Sequence, residues 1–159
     1  MYIEVTISTQ SLQLFTDSGK LLFGSLISSA HKGTGNLQGS YQTPLGRHII
    51  RAKIGRGVPV NGVFVARRFT GEIYNPQLAQ QFPQRDWILT RILWLSGLEK
   101  GKNRLGSVDT MARYIYLHGC PDEQPVGTPV SHGCIRMHNH DLLQLFDQVV
   151  VGTLVIIRL

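Results

Sequence analysis

Short runs in which β-branched residues and leucine alternate with polar ones recur along this chain, and turns carrying glycine separate them. Period-two patterning puts successive side chains on opposite faces, which describes half-buried strands. It predicts strands over residues 2–8, 11–16, 21–29, 46–53, 63–67, 87–95, 113–118, 134–137 and 153–158. The stretch "TDSGK" at 16–20 is a turn that joins the second and third as a hairpin. Helical periodicity is confined to two segments. "NPQLAQQF" (75–82) starts with Asn75 as a cap and Pro76 at the first helical position, and it stops before Pro83. In "NHDLLQLFDQVVVG" (139–152), Leu142, Leu143, Phe146, Val149 and Val150 share a face, with Asn139 as the expected cap and Gly152 as the expected stop. Many short strands and one or two short helices imply a mainly β fold, a β-sandwich or partly closed barrel of mixed sheets, in a single domain over 1–159. The polar segment "EKGKNRLGSVDT" (99–110) is expected to be a mobile connection.

Composition narrows the function classes. Apolar residues make up 42% of the chain and charged residues 16%, which is ordinary globular material. No stretch reaches the roughly 18 apolar residues of a membrane span. The opening "MYIEVTIST" lacks the basic, apolar and small-residue regions of an export signal, so a cytoplasmic protein is expected, or a periplasmic one if a leader has been removed. The net charge of +6 suits an acidic substrate. Nucleic acid is not expected, because the basic residues are scattered. Their densest cluster is Arg67–Arg68, without aromatic interleaving. Two cysteines are too few for a disulfide framework.

Chemistry concentrates in "YLHGCPDEQPVGTPVSHGCIRMHNHD" (116–141). Cys134 in "SHGC" is open to four readings: nucleophile, metal ligand, half of a disulfide, or buried thiol. Metal-ligand spacing is wrong for a finger or ribbon, although His118 and Cys120 would share a face of an extended strand. A nucleophilic cysteine needs an imidazole to take its proton and a third group to orient that imidazole. His118 fits at the end of "RYIYLH", where alternation puts Tyr114, Tyr116 and His118 on one face, Ile115 and Leu117 on the other. Gly119 leaves room for a carbonyl to hold the ring. Gly133 permits a turn in which the N–H groups of Gly133 and Cys134 point at a developing oxyanion, with Ser131 and His132 positioning the turn. Arg136, on the Cys134 face, can grip a carboxylate bidentately. Tyr116 and Ser131 join Arg136 as candidate substrate contacts.

The segment "HGCPDEQPVGTPVSHGCIRM" resembles the catalytic signature of the YkuD-type L,D-transpeptidase family: a histidine, a spacer, then Ser/Thr-His-Gly-Cys with an arginine or asparagine two residues on. "SSAHKGTGNLQGSYQTPLGRHII" is similar to its Thr-Pro-x-Gly element, here Thr43, Pro44 and Gly46. "NHDLLQLFDQVVVGTLVII" is similar to its closing helix and strand. The resemblance implies a β-sandwich of mixed sheets with a small lid, Cys134 as nucleophile and His118 as base. It also implies Gly119 as orienting carbonyl, an oxyanion turn at Ser131–Gly133, and substrate contact through Arg136. It implies acyl transfer at the diaminopimelate–D-Ala bond of murein tetrapeptides, resolved by an amine in crosslinking or by water in carboxypeptidase action. No cofactor is expected, and carbapenem-type β-lactams are expected to acylate Cys134. A cytoplasmic setting favours an L,D-carboxypeptidase releasing D-Ala during wall recycling; crosslinking or D-amino-acid exchange is the alternative, and a noncatalytic murein- or metal-binding module a third. Cys120 departs from the family pattern, as a packing residue, as a residue that tunes the site, or as a disulfide partner that would silence Cys134.

Overall fold

The alternating runs fold into ten strands, joined by two helices, in the computed structural model, which describes residues 1–159. In chain order these are β1 (Tyr2–Thr6), β2 (Ser11–Phe15), β3 (Leu21–Leu26), β4 (Gly46–Ile54), β5 (Gly62–Val65), β6 (Arg68–Ile73), α1 (Pro76–Gln81), β7 (Ile88–Gly97), β8 (Tyr116–Cys120), β9 (Ile135–His138), α2 (Asn139–Gln148) and β10 (Leu154–Arg158). One curled, mixed sheet runs β3-β2-β1-β10-β4-β7-β8-β9, with parallel pairs at β1–β10 and β8–β9 and antiparallel pairs elsewhere. At Ile92, β7 pairs with both β4 and β8; at Leu89 it pairs with both β5 and β8. Strands β4 and β5 therefore lie end to end on one edge of β7, with β8 on the other. The chain beyond β3 closes the curl: Ser28 bridges Arg136 of β9, and Ala30 bridges Ser131. The expected partly closed barrel of mixed sheets is what forms.

Burial follows the pleat. Ile3, Val5, Leu12, Leu14, Val155 and Ile157 point inward from β1, β2 and β10, and Leu93, Leu95, Leu117, Ile135 and Met137 meet them from β7–β9. Helix α2 plugs this interior with Leu142, Leu145, Phe146 and Val149. The other face of β7–β8 is also covered. Ile92 and Tyr116 pack there with Phe64 of β5, and Val58, Trp94 and Cys134 adjoin them. Strand β8, buried at every residue, thus has a core face and a site face.

Several boundaries move. The expected 63–67 strand is the first half of a hairpin, whose second half, β6, carries mostly exposed residues and a left-handed Gly71, and so shows no alternation. Its two-residue turn is Ala66–Arg67 rather than a glycine or asparagine pair. Asn75 caps α1 as expected, its Oδ1 accepting the Leu78 N–H at 2.8 Å. Asn139 does not cap α2: His138 occupies that position and the Asn139 amide turns into the interior. The helix ends at Gln148, with Val149 as its C-cap, and Gly152 (φ +93°) turns the chain into β10. Segment 99–110 is not a free connection. Asn103 is fully buried, donating to the Leu45 and Arg47 carbonyls and accepting the Glu99 N–H.

Candidate active site

The parallel β8–β9 pair sets the site. Leu117 is level with Ile135, and His118 with Arg136. One step earlier, Cys134 is level with Tyr116. Residues in register on adjacent parallel strands share a face, so Tyr116, His118, Cys134 and Arg136 line the side opposite Leu117 and Ile135. His118 and Cys134 are diagonal neighbours there. Two expectations shift. The strand begins at Tyr116, because Tyr114 takes a left-handed φ of +56° in a turn. His118 is therefore inside the strand, fully buried, rather than at a rim.

Gly119 is demanded by close packing: a Cβ there would stand 2.2 Å from Asn139 Oδ1 and 2.6 Å from the Leu89 carbonyl oxygen. The Asn139 amide donates to the Cys120 carbonyl at 3.0 Å and to Asn61 Oδ1 at 2.9 Å, and its Oδ1 accepts from Thr90 Oγ1 at 2.6 Å. This network fixes the backbone on which His118 stands. The ring's Nδ1 lies 2.8 Å from the Gly119 carbonyl oxygen. A carbonyl only accepts, so Nδ1 carries the hydrogen and Nε2 a lone pair. Nε2 is buried and has no hydrogen-bond partner. Burial pushes the imidazole below its ordinary value and Arg136 pushes the same way, while Asp86 and the Gly119 carbonyl oppose them. The ring is neutral, with its acceptor nitrogen unspent.

Cys134 lies in the bend just before β9. Gly133, at φ +133°, needs to be glycine there. Its carbonyl accepts from Thr43 Oγ1 at 3.0 Å, which ties the Thr43-Pro44 element to the cysteine loop. Ser131 is buried and spends its hydroxyl within the turn, donating to the Cys134 carbonyl and accepting the Gly133 N–H. Of the two N–H groups expected at an oxyanion site, Gly133's is thus engaged, whereas that of Cys134 has no partner. The thiol donates to the Tyr114 carbonyl at 3.3 Å and accepts the Tyr116 N–H at 3.3 Å. Burial pushes it up to about 12, against the Tyr116 N–H, Arg136 and Arg113. The resting pair is a thiol beside a neutral imidazole, the S–H directed at a carbonyl instead of the ring.

The cations around the thiol are arranged unexpectedly. Arg136 is not free to greet a ligand: its Nη2 is paired with Asp86 Oδ1 at 2.9 Å. His132, the expected turn residue, is exposed, its Nδ1 3.8 Å from Asp86 Oδ2. Tyr116 presents its hydroxyl to Arg67 Nη1 at 3.0 Å. A cleft of about 590 Å³ is lined by His31, Lys32, Tyr41 and Val130 together with Ser131 and His132, which precede Cys134 in the same bend. A second, of about 250 Å³, shares Tyr41 and His132 and reaches Arg113 and Tyr114. Sequence reasoning missed Asp86, Arg67 and the interior role of Asn139. All three come from other elements, and nothing in "QRDW" or "ARRF" marks them.

Two alternatives for the cysteines are decided by register. Cys120 is level with His138 and Cys134 with Tyr116. Four residues of strand, about 13 Å, separate the two levels, beyond the roughly 7 Å between Cα atoms that a disulfide tolerates. The silencing disulfide is excluded in this fold. Cys120 is a buried free thiol, donating to the Met137 carbonyl and pushed up to about 11 by burial. No three His, Cys, Asp or Glu side chains converge as a metal site.

A family model for the L,D-transpeptidase catalytic domain, YkuD, matches residues 1–157. The protein named "Putative L,D-transpeptidase YqjB" of Bacillus subtilis is 48% identical over 48 residues, a segment that is 30% of this chain and 27% of that protein. L,D-transpeptidase 3 from Mycobacterium tuberculosis, in complex with a faropenem-derived adduct, superposes with a TM-score of 0.60 at 18% identity, covering 99% of this chain and 60% of that one. LD transpeptidase LdtMt1 in complex with imipenem does so with 0.56 at 17% identity, covering 98% and 57%. The chain thus spans less than two thirds of the proteins it matches.

Proposed function

Because the chain belongs to the YkuD family of L,D-transpeptidase catalytic domains, we propose that it performs cysteine-dependent acyl transfer on murein tetrapeptide stems, releasing D-Ala as an L,D-carboxypeptidase. The observation that carries this reading is the unpartnered, unprotonated Nε2 of His118 on the face it shares with Cys134. Rotation about the Cys134 side chain moves the S–H from the Tyr114 carbonyl toward that nitrogen. Nε2 takes the proton as sulfur bonds to the carbonyl carbon of the third stem residue, the L-centre of diaminopimelate. The oxygen that gains charge has the free Cys134 N–H beside it, a donor worth about 3 kcal/mol when aimed correctly. The C–N bond breaks, His118 hands its proton to the departing D-Ala amine, and a thioester remains. Water attacks the thioester, again losing a proton to Nε2. Sulfur departs, recovers that proton, and the tripeptide leaves as a carboxylic acid. The Gly119 carbonyl keeps the ring in the required tautomer throughout.

The setting proposed for this hydrolysis is the cytoplasm, where stems are soluble recycled fragments and a net charge of +6 favours their carboxylates. Purified protein, disaccharide tetrapeptide and mass spectrometry test the reading. Disaccharide tripeptide plus D-Ala is expected. Crosslinked dimer, or incorporation of an added D-amino acid, would move the activity to transpeptidation, and no turnover at all would refute the reading. Two solved relatives carry a faropenem-derived adduct or imipenem. Here a carbapenem is expected to add its mass to the intact protein, and Cys134→Ala to abolish the adduct.

A further inference from the structure

The geometry points to a carboxylate-binding subsite formed by Arg67, at the tip of the β5–β6 hairpin, which takes the free C-terminal carboxylate of the departing residue. It deepens, and rests on, the acyl-transfer reading above. Arg136, the cation the sequence offers for a substrate carboxylate, already holds Asp86 at 2.9 Å. Arg67 has no acidic partner. Its guanidinium carbon sits 4.5 Å from the Trp94 ring centroid and 4.9 Å from that of Tyr114, and Nη1 donates to the Tyr116 hydroxyl at 3.0 Å. That is the one hydrogen bond the guanidinium makes, so Nη2 and Nε remain for an incoming ligand. A fork held on aromatic faces is already oriented for a bidentate carboxylate.

Two further features connect this guanidinium to the chemistry. Ala66 and Arg67 both take left-handed φ values, +48° and +63°, in a turn that ordinarily uses asparagine and glycine. Backbone strain of this kind persists where the surroundings hold it, and here the aromatic cradle does so. The same two tyrosines also hold the nucleophile, Tyr116 through its N–H and Tyr114 through its carbonyl. Sulfur and guanidinium are thus separated by one tyrosine, backbone nitrogen to hydroxyl. Standard bond lengths put the terminal carboxylate within about 4 Å of the scissile carbonyl carbon, and attack starts from about 3–3.5 Å. A stem bound for attack therefore carries its terminal carboxylate up to about 7–8 Å from sulfur, a span comparable to the one tyrosine that links sulfur to Arg67. A stem extended by another residue has a neutral amide there and leaves the cation unanswered. The subsite selects stems that end at the leaving residue.

The test compares a tetrapeptide stem ending in D-Ala with the same stem ending in D-alaninamide, for wild type, Arg67→Ala and Arg67→Lys. Wild type is expected to favour the acid in kcat/KM by about 10- to 100-fold, the usual range for one charged hydrogen-bonded contact. Arg67→Ala should lose that factor on the acid and nothing on the amide. Arg67→Lys, keeping charge without the fork, should fall between, and it keeps the comparison decidable if the alanine variant melts early. Equal losses on both stems would reduce Arg67 to a structural latch and overturn the inference. So would a wild type that does not discriminate. A wild type inert on both stems would sink the acyl-transfer reading, and this inference with it.

Discussion

Two histidines in this molecule are fully buried, and they divide on one atom. His48 of β4 and His118 of β8 are both 0% exposed, and each sets Nδ1 against a glycine carbonyl, Gly46 at 3.1 Å and Gly119 at 2.8 Å. Burial lowers the affinity of both for a proton. In each ring Nδ1 must therefore hold the hydrogen and Nε2 must accept. His48 Nε2 accepts from Thr110 Oγ1 at 3.0 Å, whereas His118 Nε2 accepts from nothing. Neither burial nor a shifted proton affinity tells a working histidine from a packing one. The unspent lone pair is what sets His118 apart, because a buried acceptor without a donor is costly and needs a reason to persist.

The largest effect that contrast predicts is on catalysis. His118→Ala should cost about 10⁴-fold in kcat/KM, close to the loss for Cys134→Ala, because the proposed base and nucleophile would act as one unit. His48→Ala should leave the turnover of the folded fraction within a few-fold of wild type. Tripeptide release, measured alongside the folded fraction by circular dichroism, separates the two. A His118→Ala enzyme within tenfold of wild type would erase the distinction.

What was readable in the sequence, and what was not, follows the same division between local and distant partners. The cap of α1 was legible because Asn75 and Leu78 are neighbours along the chain. The Cys134–His118 pair was legible because both positions sit in short, dense motifs, and the tight bend at Gly133 has a local cause in its positive φ. Strand β6 was hidden by its exposure and by a turn with no turn-forming residue. Asn139 was misread as a cap because its place ahead of an apolar run obeys helix grammar, while its amide answers to Thr90, Asn61 and Cys120. Asn103 made a polar segment look loose, although the Leu45 and Arg47 carbonyls satisfy it. Asp86 alters the electrostatics around His118 and Cys134, and Arg67 holds the Tyr116 hydroxyl, from segments whose own sequences carry no signature of it.

Stability against pH offers a smaller effect, and one that ties the histidines together. Burial takes His48 from 6.5 to about 4, with the Gly46 carbonyl and Glu99 resisting and Lys102 and Arg113 assisting. A depressed imidazole favours the neutral fold. Its contribution is complete above pH 6.5, is lost as the unfolded chain gains a proton the folded one refuses, and levels out below pH 4. The size is about 3 kcal/mol. Urea titrations across this window should show a fall that is shallower by about that amount in His48→Gln. An unchanged fall would remove His48 from the acid lability. His118 is shifted in the same direction, so pH alone cannot distinguish the pair.

The smallest effect bears most directly on the contrast itself. Thr110→Val removes the donor to His48 Nε2 and keeps the side-chain shape, leaving this ring with the same orphaned acceptor that His118 has. Stranding a buried acceptor costs about 1–3 kcal/mol. The urea midpoint should drop accordingly, with an unchanged denaturant slope and unaltered turnover of the folded protein. If the midpoint does not move, a bare Nε2 in this interior is cheap. The vacancy at His118 would then need no functional explanation, and the case for it as the base would rest on the alanine variant alone. If the midpoint falls as expected, the fold bears a comparable cost at His118 where a single well-placed hydroxyl would relieve it, which is what a nitrogen kept open for a substrate-driven proton transfer requires.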